Sequence, residues 1–370
     1  MDKQKKGIVA VMCKTKRANA RQSNFELLRI VCMISIVVFH IFTQTDAGKL
    51  QLEDGIPYLF FVFLGYGGRL VCNCFVMIGA WFLCDSEFKP ERVVNLWMQV
   101  FFYAVGITTI CTIMKVPEVT LITFVQAFWP IMGRPVWFAA EYLCLLMLSP
   151  FLNELVVQAE TTCCRLLIIF GVLIIGCATL FPVEHTTPAF SELVWFMFLY
   201  LLVAYFKGHP YSWMEKRCVC ICGGVSVYLA SVTIYILLKE LNMGGLASYY
   251  LVHYENILSF MVSVFLFYTF KNINIGSNKA INIIGESTFA VYVIHQTPCF
   301  YPVLWNGIFA VNEHVGKSDF LRYILFVMIM IFICSIVVEN IRKFLFKRLV
   351  YTRGTYGHIC SKILHFYGKS

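Results

Sequence analysis

The sequence predicts an all-α, polytopic membrane protein of about ten transmembrane helices with both termini cytoplasmic. Three observations lead there. Mean hydropathy is +0.73, and only 14% of residues are charged, where a soluble domain carries about 25%. Apolar runs of spanning length recur along all 370 residues. Lysine and arginine also fall unevenly on the two sides of the membrane that those runs define.

The spans read as 25–44, 58–84, 93–114, 137–157, 164–182, 190–206, 218–238, 254–270, 281–303 and 321–345. A further apolar stretch, Leu121 to Met132, is too short to cross and is read as interfacial or re-entrant, tied down by Trp129 and Pro130. With the N-terminus inside, 22 of the 30 lysines and arginines lie on the inner side and 6 on the outer, while Arg29 and Arg69 sit within helices. That bias orients the chain. It also accounts for the net charge of +9: the basic tails face anionic membrane lipids, not nucleic acid. Three regions follow: a basic tail 1–24, a membrane domain 25–345 and a basic tail 346–370, the region from Arg342 onward reading as an amphipathic surface segment. The basic start leads into a run too long for a cleaved signal and is read as a retained signal-anchor.

Sixteen cysteines suggest staples, but most lie inside apolar runs, where the residue acts as a small hydrophobe. No CxxC pair or metal-ligand spacing occurs. Gly65-Tyr-Gly-Gly lacks the lysine of a phosphate loop, and no Gly-x-Ser-x-Gly elbow is present.

The first span holds the chemistry. Arg29 and His40 are eleven residues apart. At about 100° per residue they share one helix face, with roughly 16 Å of rise between them. A charge at mid-bilayer costs roughly 2.5–3.5 kcal/mol on insertion scales, so such groups mark function. The plainer readings are an Arg29 that snorkels or pairs with Glu26, and a core histidine at position 40.

The residues around this pair resemble a family. Glu26-Leu-Leu-Arg29 followed by His40 is similar to the first-helix signature of the acyltransferase-3 membrane enzymes. Gly68-Arg-Leu-Val-Cys-Asn73-Cys-Phe75-Val-Met-Ile78 resembles the second-helix run, and Trp137-Phe-Ala-Ala-Glu-Tyr142 with Leu148-Ser-Pro-Phe-Leu-Asn153 a later helix. Ser287-Thr-Phe-Ala-Val-Tyr292-Val-Ile-His295 resembles the late histidine-bearing helix. The chain departs from the pattern at Gly79-Ala80, and at Asn95, where many members carry the second arginine of a pair opened here by Arg92.

The resemblance implies O-acylation of a cell-surface glycan or lipid-linked precursor at the plasma membrane. Acyl-CoA, most simply acetyl-CoA, is the co-substrate, with no bound cofactor or metal. Arg29 and Arg92 then suit the donor's phosphates. His40 suits the general base or an acyl carrier. His295 lies at similar depth, and either a second imidazole or the carboxylate of Glu141 is expected to orient His40. Tyr292 is a hydrogen-bond donor for a developing oxyanion. Arg69, Asn73 and Trp137 are candidates for the acceptor cleft, although Asn73 also reads as an interhelical hydrogen-bonding group. The competing function is export of a polysaccharide or lipid-linked sugar by the same fold without acyl transfer.

Overall fold

The computed structural model describes residues 21–129, 136–159, 161–172, 192–351 and 354–367. Among them there are helices and no strand. They are α1 (Ser23–Gln44), α2 (Ile56–Leu83), α3 (Pro90–Ile113), α4 (Leu121–Phe128), α5 (Trp137–Gln158), α6 (Thr161–Gly171), α7 (Glu192–Gly208), α8 (Arg217–Glu240), α9 (Gly244–Val252), α10 (Ile257–Lys271), α11 (Lys279–Gln296), α12 (Phe320–Leu349) and α13 (Gly354–Phe366). Most of the basic N-terminal tail, Pro130 to Arg134, and the end of the fifth expected span lie outside the described residues.

Each of the ten expected spans overlaps a helix, the fifth and sixth over their described parts and the ninth as far as Gln296. Six helices are long and apolar enough to cross a membrane by length and composition: α1, α2, α3, α5, α8 and α12. The chain is therefore an all-α, multi-pass membrane protein. α10 has 15 residues, a rise of only about 22 Å. The apolar stretch after α3 forms the short helix α4, with Leu121, Ile122 and Val125 exposed.

α1 is the central helix, packed against α2, α10, α11 and α12. Its apolar residues pack mostly into protein: Leu28, Cys32, Val37 and Ile41 are fully buried, while Val31 is exposed. α12 differs. Leu325, Ile329, Ile333, Val337, Ile341 and Phe344 are exposed at helical spacing, an apolar stripe of the kind that faces lipid in a membrane helix.

Two glycines bring α1 close to its partners. A Cβ on Gly68 of α2 would stand 2.1 Å from Phe39 Cβ, and one on Gly285 of α11 would stand 2.5 Å from Glu26 Oε2. The cluster at 65–68 is thus a helix contact of the small-residue kind. Beside it a π-turn, Phe61–Gly65, loosens the backbone ladder, and Ser35 Oγ donates to the carbonyl of Leu64 at 2.5 Å. Pro150 inside α5 cannot donate to Leu146, and Ser149 Oγ does so instead at 2.8 Å. Asn153 ties α5 to α2 and α7: its Nδ2 donates to Leu83 O, and Tyr200 Oη donates to its Oδ1.

One expectation needs correction. α12 runs to Leu349, and Arg342 is buried, not part of a surface segment. Its guanidinium grips Glu339 through Nε (2.9 Å) and Nη2 (2.7 Å). Tyr103 Oη and Gln99 Nε2 of α3 donate to the same carboxylate. Glu339, one turn earlier, lets the arginine stay inside. The amphipathic surface segment begins later, as α13, where Tyr356 donates to Asn95 Oδ1 (2.9 Å) and Tyr367 to Met147 O (2.7 Å).

Gly285→Ala should lower the thermal midpoint of the protein in detergent, because overpacking costs about 1–3 kcal/mol. Gly106→Ala, whose Cβ would meet nothing within 4 Å, should be neutral or stabilising. Equal midpoints for the two variants would contradict the close packing of α1 on α11.

Candidate active site

α1 and α11 run side by side and present His40 and His295 to each other. His40 Nδ1 and His295 Nε2 are 2.8 Å apart. His295 Nδ1 lies 2.5 Å from the carbonyl of Val291, one turn earlier on α11. These contacts fix the protons. A carbonyl only accepts, so His295 Nδ1 carries hydrogen. In a neutral ring its Nε2 is then the acceptor, so His40 Nδ1 donates. His40 Nε2 is left with its lone pair. His295 is fully buried while His40 is only partly so. The arrangement holds the His40 imidazole in one tautomer through its bond to His295.

A second rung lies just beyond. Gln44 Nε2 donates to Gln296 Oε1 at 3.2 Å, and Trp305 Nε1 donates to Gln44 Oε1 at 2.8 Å. Sequence reasoning missed these groups, although Gln44 is four residues after His40 and Gln296 adjoins His295.

On the other side of the histidines, a cavity of about 210 Å³ lies between α1, α2, α3, α5 and α11. Arg29, Met33 and Ile36 line it from α1, Cys72 and Phe75 from α2, Gln99 from α3, and Gly285, Glu286, Thr288, Phe289 and Tyr292 from α11. Arg29 is at the end near the start of α1, with Nη1 2.9 Å from Glu26 Oε1. It both pairs with Glu26 and faces the cavity. The lining follows the stripe 29, 33, 36 and ends one turn short of His40. Tyr292, one turn before His295, lines the same end. Its hydroxyl is buried against the backbone of Phe138 without a hydrogen bond of good geometry.

Tyr142 of α5 also lines the cavity. A Cβ on Gly79 would stand 2.1 Å from its hydroxyl, so the missing side chain makes room for the phenol. Arg29 and Arg92 are both within electrostatic reach of it. They do not share a cavity, however. Arg92 lies in a separate small cleft with Lys89, Ser149 and Asn153, where its Nη1 donates to Ser86 Oγ at 2.8 Å. The expected two-arginine mouth is therefore divided, because Arg92 is drawn toward the loop after α2.

Arg69 rests over the ring of Trp137 at 5.5 Å, and Trp137 stacks on Tyr254 (5.7 Å, 13°). Arg69 is near enough to His40 and Tyr292 to act on both electrostatically. Asn73 is different. It is fully buried, donates to Tyr254 O (2.8 Å) and Ser263 Oγ (3.2 Å), and accepts from Trp195 Nε1 (2.9 Å). It clamps α2 to α7 and α10, the interhelical reading rather than the acceptor cleft. Glu141 stands half-buried in the first turns of α5. The group bonded to His40 Nδ1 is the imidazole of His295, so of the two expected orienters the structure supplies the imidazole.

The described helices thus form a membrane bundle with an oriented imidazole one turn beyond a cavity. Residues 22–339 match the family model Acyl_transf_3, described as an acyltransferase domain. The chain belongs to the acyltransferase-3 family and is a membrane acyltransferase. No curated protein and no solved structure matches it.

His295→Ala should lower turnover by a factor of about 10² to 10⁴, the span set by loss of acid–base assistance and of tautomer control. His295→Gln should retain more activity, because its amide oxygen can accept from His40 Nδ1. Steady-state rates ranking alanine at or above glutamine would contradict the relay.

Proposed function

We propose that this protein moves an acyl group, most simply acetyl, from acyl-CoA to a hydroxyl of a cell-surface glycan or its lipid-linked precursor in the plasma membrane. The observation that carries the reading is the Val291–His295–His40 chain, whose free nitrogen lies one turn beyond the lining of the Arg29 cavity. A thioester entering past Arg29, from the side that the positive charge marks as cytoplasmic, would bring its acyl carbon toward Tyr292. An acceptor hydroxyl would reach His40 from the opposite side.

Each step then has a named group. His40 Nε2 takes the hydroxyl proton as the oxygen attacks the thioester carbon. Negative charge collects on the carbonyl oxygen, and the Tyr292 hydroxyl, which lacks a good partner in the resting state, is available to donate to it. The carbon–sulfur bond breaks, the ester remains on the acceptor, and the CoA thiolate recovers the proton from His40. His295 stays neutral throughout and steadies the imidazolium through its Nε2. The stacked Trp137–Tyr254 pair with Arg69 above it offers a flat apolar face and hydrogen-bond donors, a combination suited to a sugar ring.

In the purified protein, acetyl-CoA should be consumed in the presence of a glycan acceptor, and His40→Ala should abolish this at normal expression. Glycan mass spectrometry of cells with and without the gene should show acyl groups lost with it. Export of unmodified glycan with no thioester consumed would favour a translocation protein, and wild-type transfer by His40→Ala would refute the mechanism.

A further inference from the structure

The mouth of the cavity carries charges that the transfer steps leave unused. Arg21 donates through Nε to Glu26 Oε1 at 2.8 Å and pairs through Nη1 with Glu286 Oε2 at 2.9 Å. Lys343 of α12 pairs with the other oxygen, Glu286 Oε1, also at 2.9 Å. Three elements thus meet at one carboxylate: the segment before α1, α11 and α12. Arg21 and Glu286 line the cavity with Arg29.

The two carboxylates at this mouth differ in kind. The Glu26 side chain is 5% exposed and serves two guanidiniums, those of Arg21 and Arg29. It is fixed between α1 and α11, against Gly285. The Glu286 side chain is 40% exposed, and its cations Arg21 and Lys343 are 39% and 34% exposed. Water-exposed pairs of this sort are worth only about 0–1 kcal/mol and can be exchanged. Arg21, Arg29 and Lys343 outnumber Glu26 and Glu286 by one positive charge; behind them Arg342 holds the buried Glu339, whose Oε1 also stands 3.8 Å from Lys343 Nζ. A dianionic group entering here would meet two cations already held about one carboxylate apart.

We propose that Glu286 is a placeholder for phosphate: in the resting protein it holds Arg21 and Lys343 at the cavity mouth, and a phosphate of the nucleotide part of the donor displaces it and takes both cations. This rests on the acyl-CoA reading above. Arg21 and Lys343 are then donor-binding residues, and Glu286 sets how tightly the nucleotide is held. The chemistry recognised is a phosphate ester or diphosphate, which a lipid head group could also supply, so the test is run in phosphate-free detergent.

The measurement is KM for acetyl-CoA against KM for acetyl-pantetheine, which lacks the nucleotide, on full-length protein. Arg21→Gln and Lys343→Gln should each raise the ratio of the two KM values about fivefold to tenfold, the scale of a charge-assisted contact at a part-exposed site. Glu286→Gln should lower the ratio. A purely structural role would move both KM values together, and a flat ratio, or a rise in Glu286→Gln, overturns the proposal. Should Arg21→Gln fail to fold, Lys343→Gln and Glu286→Gln carry the test. A wild type that turns over neither thioester overturns the donor reading itself. Binding of inorganic pyrophosphate then judges the mouth alone: tighter binding in Glu286→Gln than in wild type supports it, and no difference or no binding overturns it. If added phospholipid displaces bound pyrophosphate while acetyl-CoA kinetics ignore all three substitutions, the phosphate belongs to a lipid and the donor assignment fails.

Discussion

The hydrogen bond between two imidazoles in an apolar bundle is the interaction from which the chemistry follows. It requires α1 and α11 to approach so closely that a 2.8 Å contact forms between rings on separate helices. Gly285 permits that approach on one side of α1 and Gly68 permits the matching approach of α2 on the other. The bundle has little water to satisfy a stray ring nitrogen, so each polar atom must find its partner within the protein. The carbonyl of Val291 serves the backbone ladder of α11 and the ring of His295 together. With that one acceptor fixed, the tautomers of both histidines are fixed, and so is the nitrogen left free to take a proton.

The same economy governs the rest of the buried polar groups, and it separates structure from chemistry. Asn73 has its amide nitrogen and oxygen engaged, as does Asn153 with Leu83 O and Tyr200 Oη, and Ser149 donates to the carbonyl of Leu146 that Pro150 leaves without a donor. Glu339 and Arg342 neutralise each other with Tyr103 and Gln99 completing the shell. These groups are spent on holding helices. Along the cavity and just beyond it, His40 Nε2, the Tyr292 hydroxyl and the exposed cations of the mouth keep capacity to spare. A ligand-binding path is recognisable by this unspent capacity as much as by its volume.

Much of this path is legible in the sequence. Periodicity alone puts Arg29 and His40 on one face, because eleven residues bring a helix back to nearly the same direction. The cavity lining at 29, 33 and 36 follows that face. The depth of His295 follows from counting along α11, but its contact with His40 does not, since adjacency of α1 and α11 is a property of packing and not of either segment. For the same reason Glu141 and His295 are indistinguishable as orienters until the helices are assembled. Arg92 illustrates the opposite failure. Its position near one end of the bundle is readable from the spans, yet the side chain turns to Ser86, a local partner six residues back.

The mouth is the least readable part because its charges come from far apart in the chain. Arg21 precedes the first span, Glu286 lies in the second turn of α11, and Lys343 is near the end of α12. Charge counting assigns Arg21 and Lys343 to basic tails facing lipid, a sound average and a poor guide to these two residues. Lys347 and Arg348 continue the same helix, but Lys343 alone among these three is paired with Glu286: Lys347 keeps nearly the same face and stands about 6 Å further along the axis, and Arg348 is turned roughly a further 100° around it. A segment that reads as a solvated basic stretch thus contributes one residue to the ion pairs at the cavity mouth, and the position of that residue along and around α12 decides which one.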